Sequence, residues 1–313
     1  MNYTLNQLRI FVKVAQNQSI TKASEELHLT QPAVSIQLRN FQDQFPIPLT
    51  EVVGRRLYLT EFGKEIALAS EKVLSEINAI NYKTLEYGGN LAGQLKIAVV
   101  STGKYVMPYF LSGFMTKHSK VDLVMDVTNK ASVIRSLENN EVDFALVSVL
   151  PKHLNIDKVE LMENILYLVG SEDSLKIDKK RRLKSLANAP LIFRENGSAT
   201  RMAMENYLNS KNIKVSKKVE LTSNEAVKQA VVAGLGYSIM PLIGIKNELM
   251  NDSLKIYNLP GLPIKTNWNL IWMSSKRFSP VAKTFLKYLK EEKESIIQTE
   301  FNWFKSYAKK EYG

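Results

Sequence analysis

The chain has 313 residues, 45% hydrophobic and 23% charged, the proportions of a globular protein with two or three cores rather than of a disordered or fibrous one. It has no cysteine, which excludes disulfides and thiolate metal sites and agrees with a reducing cytoplasm, and no apolar run of about 18 residues to cross a bilayer. The net charge of +11 invites a nucleic-acid reading, but residues 1–90 hold nine basic and nine acidic side chains, so the whole excess falls in residues 91–313.

The first element is a helix over residues 5–16, with Leu5, Leu8, Phe11, Val12 and Ala15 on an inward face. The opening MNYTLNQLRIF lacks the basic-then-apolar signature of a signal peptide. The stretch ITKASEELHLTQPAVSIQLRNFQDQF, from Ile20 to Phe45, reads as two short amphipathic helices meeting at His28-Leu29-Thr30. The first offers Ala23 and Leu27 to a core. The second offers Val34, Leu38, Phe41 and Phe45, spaced as one helical stripe. Thr30 stands where an N-cap belongs, and Pro32 lies in the first turn, where its missing N–H costs nothing.

Two helices joined so tightly form a helix-turn-helix. On the second, Pro32, Ser35, Ile36 and Arg39 point away from the stripe, with Gln31 near one flank. Gln and Arg make bidentate hydrogen bonds to base edges, Ser is a short donor, and an apolar Ile36 on a wet face suits a thymine methyl. An αα-corner in some other fold accounts for the same helices without DNA. Pro46 and Pro48 then stop the helix, and LTEVVGRRLYLTE reads as two short strands around Gly54-Arg55. In a winged helix-turn-helix, Arg55 and Arg56 lie beside the recognition helix over phosphate or minor groove; otherwise they decorate a polar hairpin tip.

From Glu61 to about Tyr87, Phe62, Ile66, Ala69, Val73, Ile77 and Ile80 predict one long helix. Its stripe must bury itself, against a partner copy or against the chain's own body. A dimer would carry two recognition helices to a roughly palindromic site. Gly88-Gly89 and Gly93 end the helix and make a hinge-like connection.

From Leu95 the pattern alternates between strands and helices. Strands are expected at LKIAVVS, VDLVMDVTN, VDFALVSV, PLIF, KKVELTS and YSIMP, and helices near residues 105–117, 131–140, 199–211 and 224–233. This is an α/β pattern and argues for parallel sheets flanked by helices. Ligands in such folds bind at strand C-termini and helix N-termini. Four loops qualify: Ser101-Thr102-Gly103, Ser148, the run Asn196 to Arg201 with Ser198 and Thr200, and Thr222-Ser223-Asn224. Their hydroxyls and free N–H groups suit an anion, with Lys104 and Arg201 adding charge; plain helix capping explains each loop equally well. Gly234 and Gly236 in AGLGYS end a helix and let a strand pack closely, and no phosphate-cradling motif follows them.

The run FVKVAQNQSITKASEELHLTQPAVSIQLRNFQDQF, followed by PLTEVVGRRLYLTEFGKE, resembles the N-terminal domain of LysR-type transcriptional regulators. The family core A-x-x-L-x-x-[ST]-Q-P-[AS]-[VL]-S is present as Ala23, Leu27, Thr30, Gln31, Pro32, Ala33, Val34 and Ser35. The resemblance implies base or phosphate contacts from Thr30, Gln31, Pro32, Ser35 and Arg39, and wing contacts from Arg55 or Arg56. The chain departs from the family at Ile36, where Arg or Lys is common, at Gln42, where Glu is usual, and at Thr50, where an aromatic is usual. VVSTGKYVMPYFLSGF, ENGSATRMAMENYL and SNEAVKQAVVAGLGYSIMP look like the branch that controls carbon-fixation operons and inorganic-carbon uptake, which responds to small phosphorylated or otherwise anionic metabolites.

The architecture implied is a winged helix-turn-helix over residues 1–60, a linker and dimerisation helix over 61–90, an effector domain over 91–300 and a tail over 301–313. The effector domain is expected as two lobes like those of periplasmic solute-binding proteins, lobe 1 at about 91–165 and 268–300 and lobe 2 at about 166–267. The implied partners are operator DNA, a small anionic effector and further copies of the chain as a dimer or tetramer, with room for RNA polymerase. No cofactor, metal or membrane is implied.

Little speaks for an enzyme. The histidines are His28, His118 and His153, and no H-E-x-x-H or G-x-S-x-G occurs. The rival reading is a small-molecule binding protein or enzyme of the solute-binding fold with a vestigial DNA domain. The basic cluster at Lys179, Lys180, Arg181, Arg182 and Lys184 reads as a solvated loop. Residues 281–312 read as a helix, with Phe285, Leu289, Ile296, Phe301, Trp303 and Phe304 docking on the body or on a partner rather than a membrane.

Overall fold

The computed structural model describes residues 2–54, 56–87, 91–171 and 182–304. Arg55, the Gly88-Gly89 pair, the basic run 179–181 and the tail beyond Phe304 lie outside the described residues. The chain divides into two compact units, Met1–Asn90 and Leu91–Gly313.

The first unit comprises helices α1 (Leu5–Asn17), α2 (Ile20–Glu26) and α3 (Gln31–Gln42), the hairpin β1 (Thr50–Val53) and β2 (Arg56–Leu59), and the long helix α4 (Glu61–Tyr87). Thr4 and Gln7 form a reciprocal capping box at the start of α1, and the Ser19 hydroxyl caps α2. The core joins Ile10, Phe11 and Val14 of α1 to Ala23, Val34, Leu38, Phe41 and Ala67. Phe45 reaches this core from beyond the end of α3, its ring 5.1 Å from that of Phe41, so the expected stripe outlasts its helix.

Two further expectations shift here. The buried face of α1 centres on Gln7, Ile10, Phe11 and Val14; Leu5, almost opposite that centre at about 100° per residue, is 47% exposed. The stripe on α4 also divides. Phe62 and Ile66 pack into the core beside Ala67, while Ala69 and Val73 are exposed. Gly63 shows how closely this helix seats: a Cβ there would overlap the backbone carbonyl of Leu49.

The second unit begins with β3 (Gly93–Val100), α5 (Met107–Lys117), β4 (Val121–Thr128), α6 (Lys130–Glu138) and β5 (Phe144–Val147). Strands β4 and β5 flank β3 in parallel, as alternation predicts. The long strand β6 (Ile156–Gly170) then carries the chain into a second lobe. That lobe holds α7 (Arg182–Asn188), β7 (Pro190–Arg194), α8 (Ala199–Ser210), β8 (Lys217–Leu221), α9 (Asn224–Val232), β9 (Ser238–Pro241), α10 (Lys246–Met250) and β10 (Lys255–Ile256). Strand β11 (Ile264–Met273) returns to the first lobe, and α11 (Pro280–Glu300) closes it.

The β7–β8 pair is parallel, as alternation predicts, but the seven-stranded sheet is mixed. β11 runs antiparallel to β6 from Ile264↔Leu166 to Met273↔Ile156, with a shift in register between Trp268 and Asn269. A strand that leaves a lobe and the strand that returns beside it must be antiparallel. Within the second lobe β6 is buried on both faces. Ile165, Tyr167 and Val169 enter the main core, and Leu166 and Leu168 enter a separate cluster with Leu191, Phe193 and Tyr207. Beyond α9, Gly234 has φ +78, and a Cβ on Gly236 would overlap the Pro190 carbonyl, so β9 can approach β7 only with glycine there.

α11 ends at Glu300, where the chain turns to bury Phe301; residues 302–304 are helical again, and residues 305–312 of the expected helix lie outside the described residues. The Phe301 ring stacks 5.9 Å from Phe110 and meets Tyr109 edge-on at 5.2 Å. Ile296 packs half-buried against the core as expected, and Ile297 beside it is buried.

Candidate functional site

In the first unit, α3 keeps Val34, Leu38 and Phe41 buried and turns a different set outward. Gln31 and Pro32 are exposed, Ser35 is half-buried, Ile36 is 58% exposed and the Arg39 side chain 83%. Arg39 is held only loosely, its Nε 3.9 Å from Asp43 at an exposed i,i+4 spacing worth little energy. Thr30 has the backbone of an N-cap, but its hydroxyl makes no capping hydrogen bond. Thr30 is exposed, as are Gln31 and Pro32 after it.

The hairpin sits beside this helix through a contact between two of the positions where the chain departs from the family pattern it resembles. The Thr50 hydroxyl donates to Gln42 Oε1 at 2.6 Å, tying the first residue of β1 to the last of α3. Neither departure was predicted to meet the other. Gly54 takes φ +56 in the turn, and Arg56 is exposed at the start of β2. Arg55 lies outside the described residues.

In the second unit, the loop residues singled out by sequence fall into four places. Ser101, beyond β3, and Asn224, the first residue of α9, are brought together by Arg194 at the end of β7. Arg194 Nη2 donates to Ser101 Oγ at 2.9 Å, and Nη1 reaches Asn224 Oδ1 at 3.5 Å. Arg194 is 3% exposed, and Nε and Nη2 also bind both oxygens of Glu195 at 2.8 and 2.9 Å. Thr102 beside Ser101 is buried, and its hydroxyl makes no capping bond to the turn Gly103–Tyr105 that follows. Asn224 Nδ2 is buried with no hydrogen-bond partner. A guanidinium, an amide with an unused donor and the Ser101 hydroxyl thus meet between the two lobes.

Ser198 and Arg201 line a neighbouring cavity of about 640 Å³, with Lys130, Ile134, Leu150 and His153. The Ser198 hydroxyl is spent capping α8 through the Arg201 N–H, and Thr200 is buried in the first turn. Arg201 departs from the free cation expected: it binds Glu205 at 2.7 Å, Glu220 at 2.8 Å and the Arg194 carbonyl at 3.1 Å. Hydrogen bonding to Glu205, and then to Glu220, holds the guanidinium charged above its ordinary range. Lys130, by contrast, has no carboxylate partner among the described residues, and burial pushes its ammonium below the ordinary lysine range. Ser148 is half-buried beyond β5. Lys104 lies over the Tyr105 ring at 5.0 Å and lines a separate cavity of about 580 Å³ with Lys228, Lys246 and Trp303.

Sequence reading thus found Ser101 and Asn224 and missed the residue that joins them. A signal was present: an arginine closing the apolar strand PLIF is a charge at the end of a buried element. Among the described residues, no group of His, Cys, Asp and Glu is placed to hold a metal, and no helix is long and apolar enough to cross a membrane.

Comparison with known proteins accounts for both units. Residues 5–64 match the family model of the bacterial regulatory helix-turn-helix protein, lysR family, and residues 88–294 match the LysR substrate binding domain. The HTH-type transcriptional activator CmpR of Synechocystis is 36% identical over 94% of this chain and 97% of its own length. The RuBisCO operon transcriptional regulator of Allochromatium vinosum is 36% identical over 93% and 97%. The regulatory domain of Synechocystis CcmR, solved in complex with 2-PG, is 31% identical, with a TM-score of 0.59 over 63% of this chain and 95% of that one. The chain belongs to the LysR family of transcriptional regulators, with a helix-turn-helix unit and a two-lobed substrate-binding unit.

Proposed function

We propose that the chain binds operator DNA through the outward residues of α3 and the β1–β2 wing, and that a small anionic effector at the Ser101–Arg194–Asn224 cluster controls that binding from between the lobes. Gln31, Ser35, Ile36 and Arg39 would meet base edges or phosphate, with Thr30 and Pro32 at the helix start and Arg55 and Arg56 on the flanking backbone. The exposed stretch of α4 around Val73 would pair with a second copy, giving a dimer or tetramer whose recognition helices read two half-sites. The protein would act in the cytoplasm, where RNA polymerase is a further partner.

The observation that carries the effector half is Arg194 itself. A guanidinium 3% exposed, bonded to a hydroxyl of one lobe and an amide of the other, is a charge poised to sense how the lobes sit. An effector there binds one lobe arrangement better than another and shifts the population by that difference. The 2-PG complex of the CcmR domain supports a ligand-responsive domain of this kind. Lys130 and the cavity it lines provide a further cationic wall.

Native mass spectrometry of the full chain, purified with whatever it retains from the cell, tests this reading. The expected result is a small acidic metabolite on the wild type that is absent from Arg194→Gln. Equal retention by both proteins places the effector elsewhere. Sequencing the genomic fragments recovered with the protein supplies the operator.

A further inference from the structure

The β1–β2 hairpin is a two-stranded sheet of its own and pairs with no other described strand. Such a ribbon is marginal unless the rest of the chain holds it. β2 is held by packing: Leu57 and Leu59 lie against the core of the first unit, while Arg56 and Tyr58 are exposed. β1 has no such hold. Of its four residues only Thr50 is half-buried, and Glu51, Val52 and Val53 are exposed. Among the described residues, the one hydrogen bond from a β1 side chain to a helix is that from the Thr50 hydroxyl to Gln42 Oε1, at 2.6 Å and partly shielded from water. It joins the last residue of α3 to the residue from which the hairpin springs. A hydroxyl–amide bond is directional, where an apolar contact in the same place would tolerate sliding.

We propose that Thr50 and Gln42 are positioning residues for DNA. Their hydrogen bond fixes the angle between the recognition helix and the wing, so that Arg56 meets phosphate while α3 lies in the groove. The inference rests on the DNA half of the function proposed above.

The lever is long. At about 3.3 Å per residue the turn at Gly54 stands roughly 13 Å from Thr50, and a tilt of about 10° at the base moves it by about 2 Å. That exceeds the tolerance of a hydrogen bond from a guanidinium to a phosphate oxygen. Arg56 pairs with Val53 next to this turn, where the displacement is greatest. Arg56 therefore contributes in full only while the strut at the base is intact.

Fluorescence anisotropy on the full chain tests this, with a labelled duplex of the genomic fragment most enriched with the protein as the probe. Thr50→Val keeps the shape of the side chain and removes the donor. It is expected to weaken binding by about three- to tenfold and to flatten the dependence of log affinity on log salt by about one unit. Thr50→Ser keeps the hydroxyl and should restore both. Gln42→Ala should resemble Thr50→Val, and the double variant should be no weaker than either. Arg56→Ala should flatten the slope of the wild type but change little in the Thr50→Val background. If circular dichroism shows that Thr50→Val does not fold, Gln42→Ala carries the same comparisons.

The inference is overturned if Thr50→Val keeps the wild-type slope, if Thr50→Ser is as weak as Thr50→Val, or if Arg56→Ala has its full effect in the Thr50→Val background. Each of these results leaves a wing that binds DNA without the strut. If Arg56→Ala leaves the wild-type slope unchanged, the wing reading itself falls and the inference falls with it.

Discussion

Arg194 and Ser101 stand 93 positions apart in sequence and are joined by a hydrogen bond of 2.9 Å. One closes a strand of the second lobe and the other follows a strand of the first. The bond therefore measures the distance between lobes. Under the proposed function, a solute that competes for either group would act on that distance and so couple a metabolite to a change in shape.

The outward face of α3 sets the first expectation. Replacing Gln31 or Ser35 with Ala should lower the ratio of operator to random-DNA affinity, by about 1–3 kcal/mol where a bidentate base contact is lost. Fluorescence anisotropy with both DNAs reads this directly. Equal weakening on both DNAs would assign these residues to the backbone instead.

Arg56 is exposed at the start of β2, where it would meet phosphate rather than bases. Arg56→Ala should weaken binding to all sequences alike and flatten the dependence of log affinity on log salt by about one unit. A salt titration that gives the wild-type slope would remove Arg56 from the interface.

Val73 is 45% exposed midway along α4, where the apolar stripe leaves the core of its own unit. A charge there is costly in a helix pair and nearly free on a solvated surface. Val73→Asp should shift the assembly toward smaller species in analytical ultracentrifugation while leaving the helical circular dichroism unchanged. An unaltered sedimentation profile would move the contact off this face.

Asp143 and Lys276 form a half-buried ion pair at 3.7 Å, and Asp143 also accepts the Lys96 N–H at 2.9 Å. Burial raises the Asp143 carboxyl above its ordinary range and lowers the Lys276 ammonium below its own. A carboxyl with a raised folded-state pKa contributes stability below the unfolded value and loses it as pH rises through the folded value. Asp143→Asn should therefore remove a downward slope in stability just above the ordinary aspartate range. Lys276→Met alone should cost more than the double change to Asn and Met, since it leaves a buried carboxylate uncompensated. Urea unfolding of the four proteins across pH checks both statements.

The legibility of the chain follows from which signals are local. The helix-turn-helix is nearly complete in the spacing of Val34, Leu38 and Phe41 and in the turn at His28, which takes φ +53. The short strands and helices of the second unit are legible for the same reason. β6 and β11 are not. Strand β6 changes neighbours as it crosses between lobes, and its first half carries exposed Asp157, Lys158 and Glu160, which hide the apolar run that follows. The site is divided in the same way. Ser101 and Asn224 announce themselves as polar residues at element ends, but the need for Arg194 arises only once the ends of two strands from different sheets, far apart in sequence, are brought together. The pairing of Thr50 with Gln42 is of that kind too: two separate departures from a family pattern become one hydrogen bond.

The most direct measurement is a crystal structure of the full-length protein grown with its retained metabolite. The account predicts density between the lobes in contact with Arg194 and Asn224. Density confined to the cavity lined by Lys104 and Lys246, with the Arg194–Glu195 pair undisturbed, would contradict it.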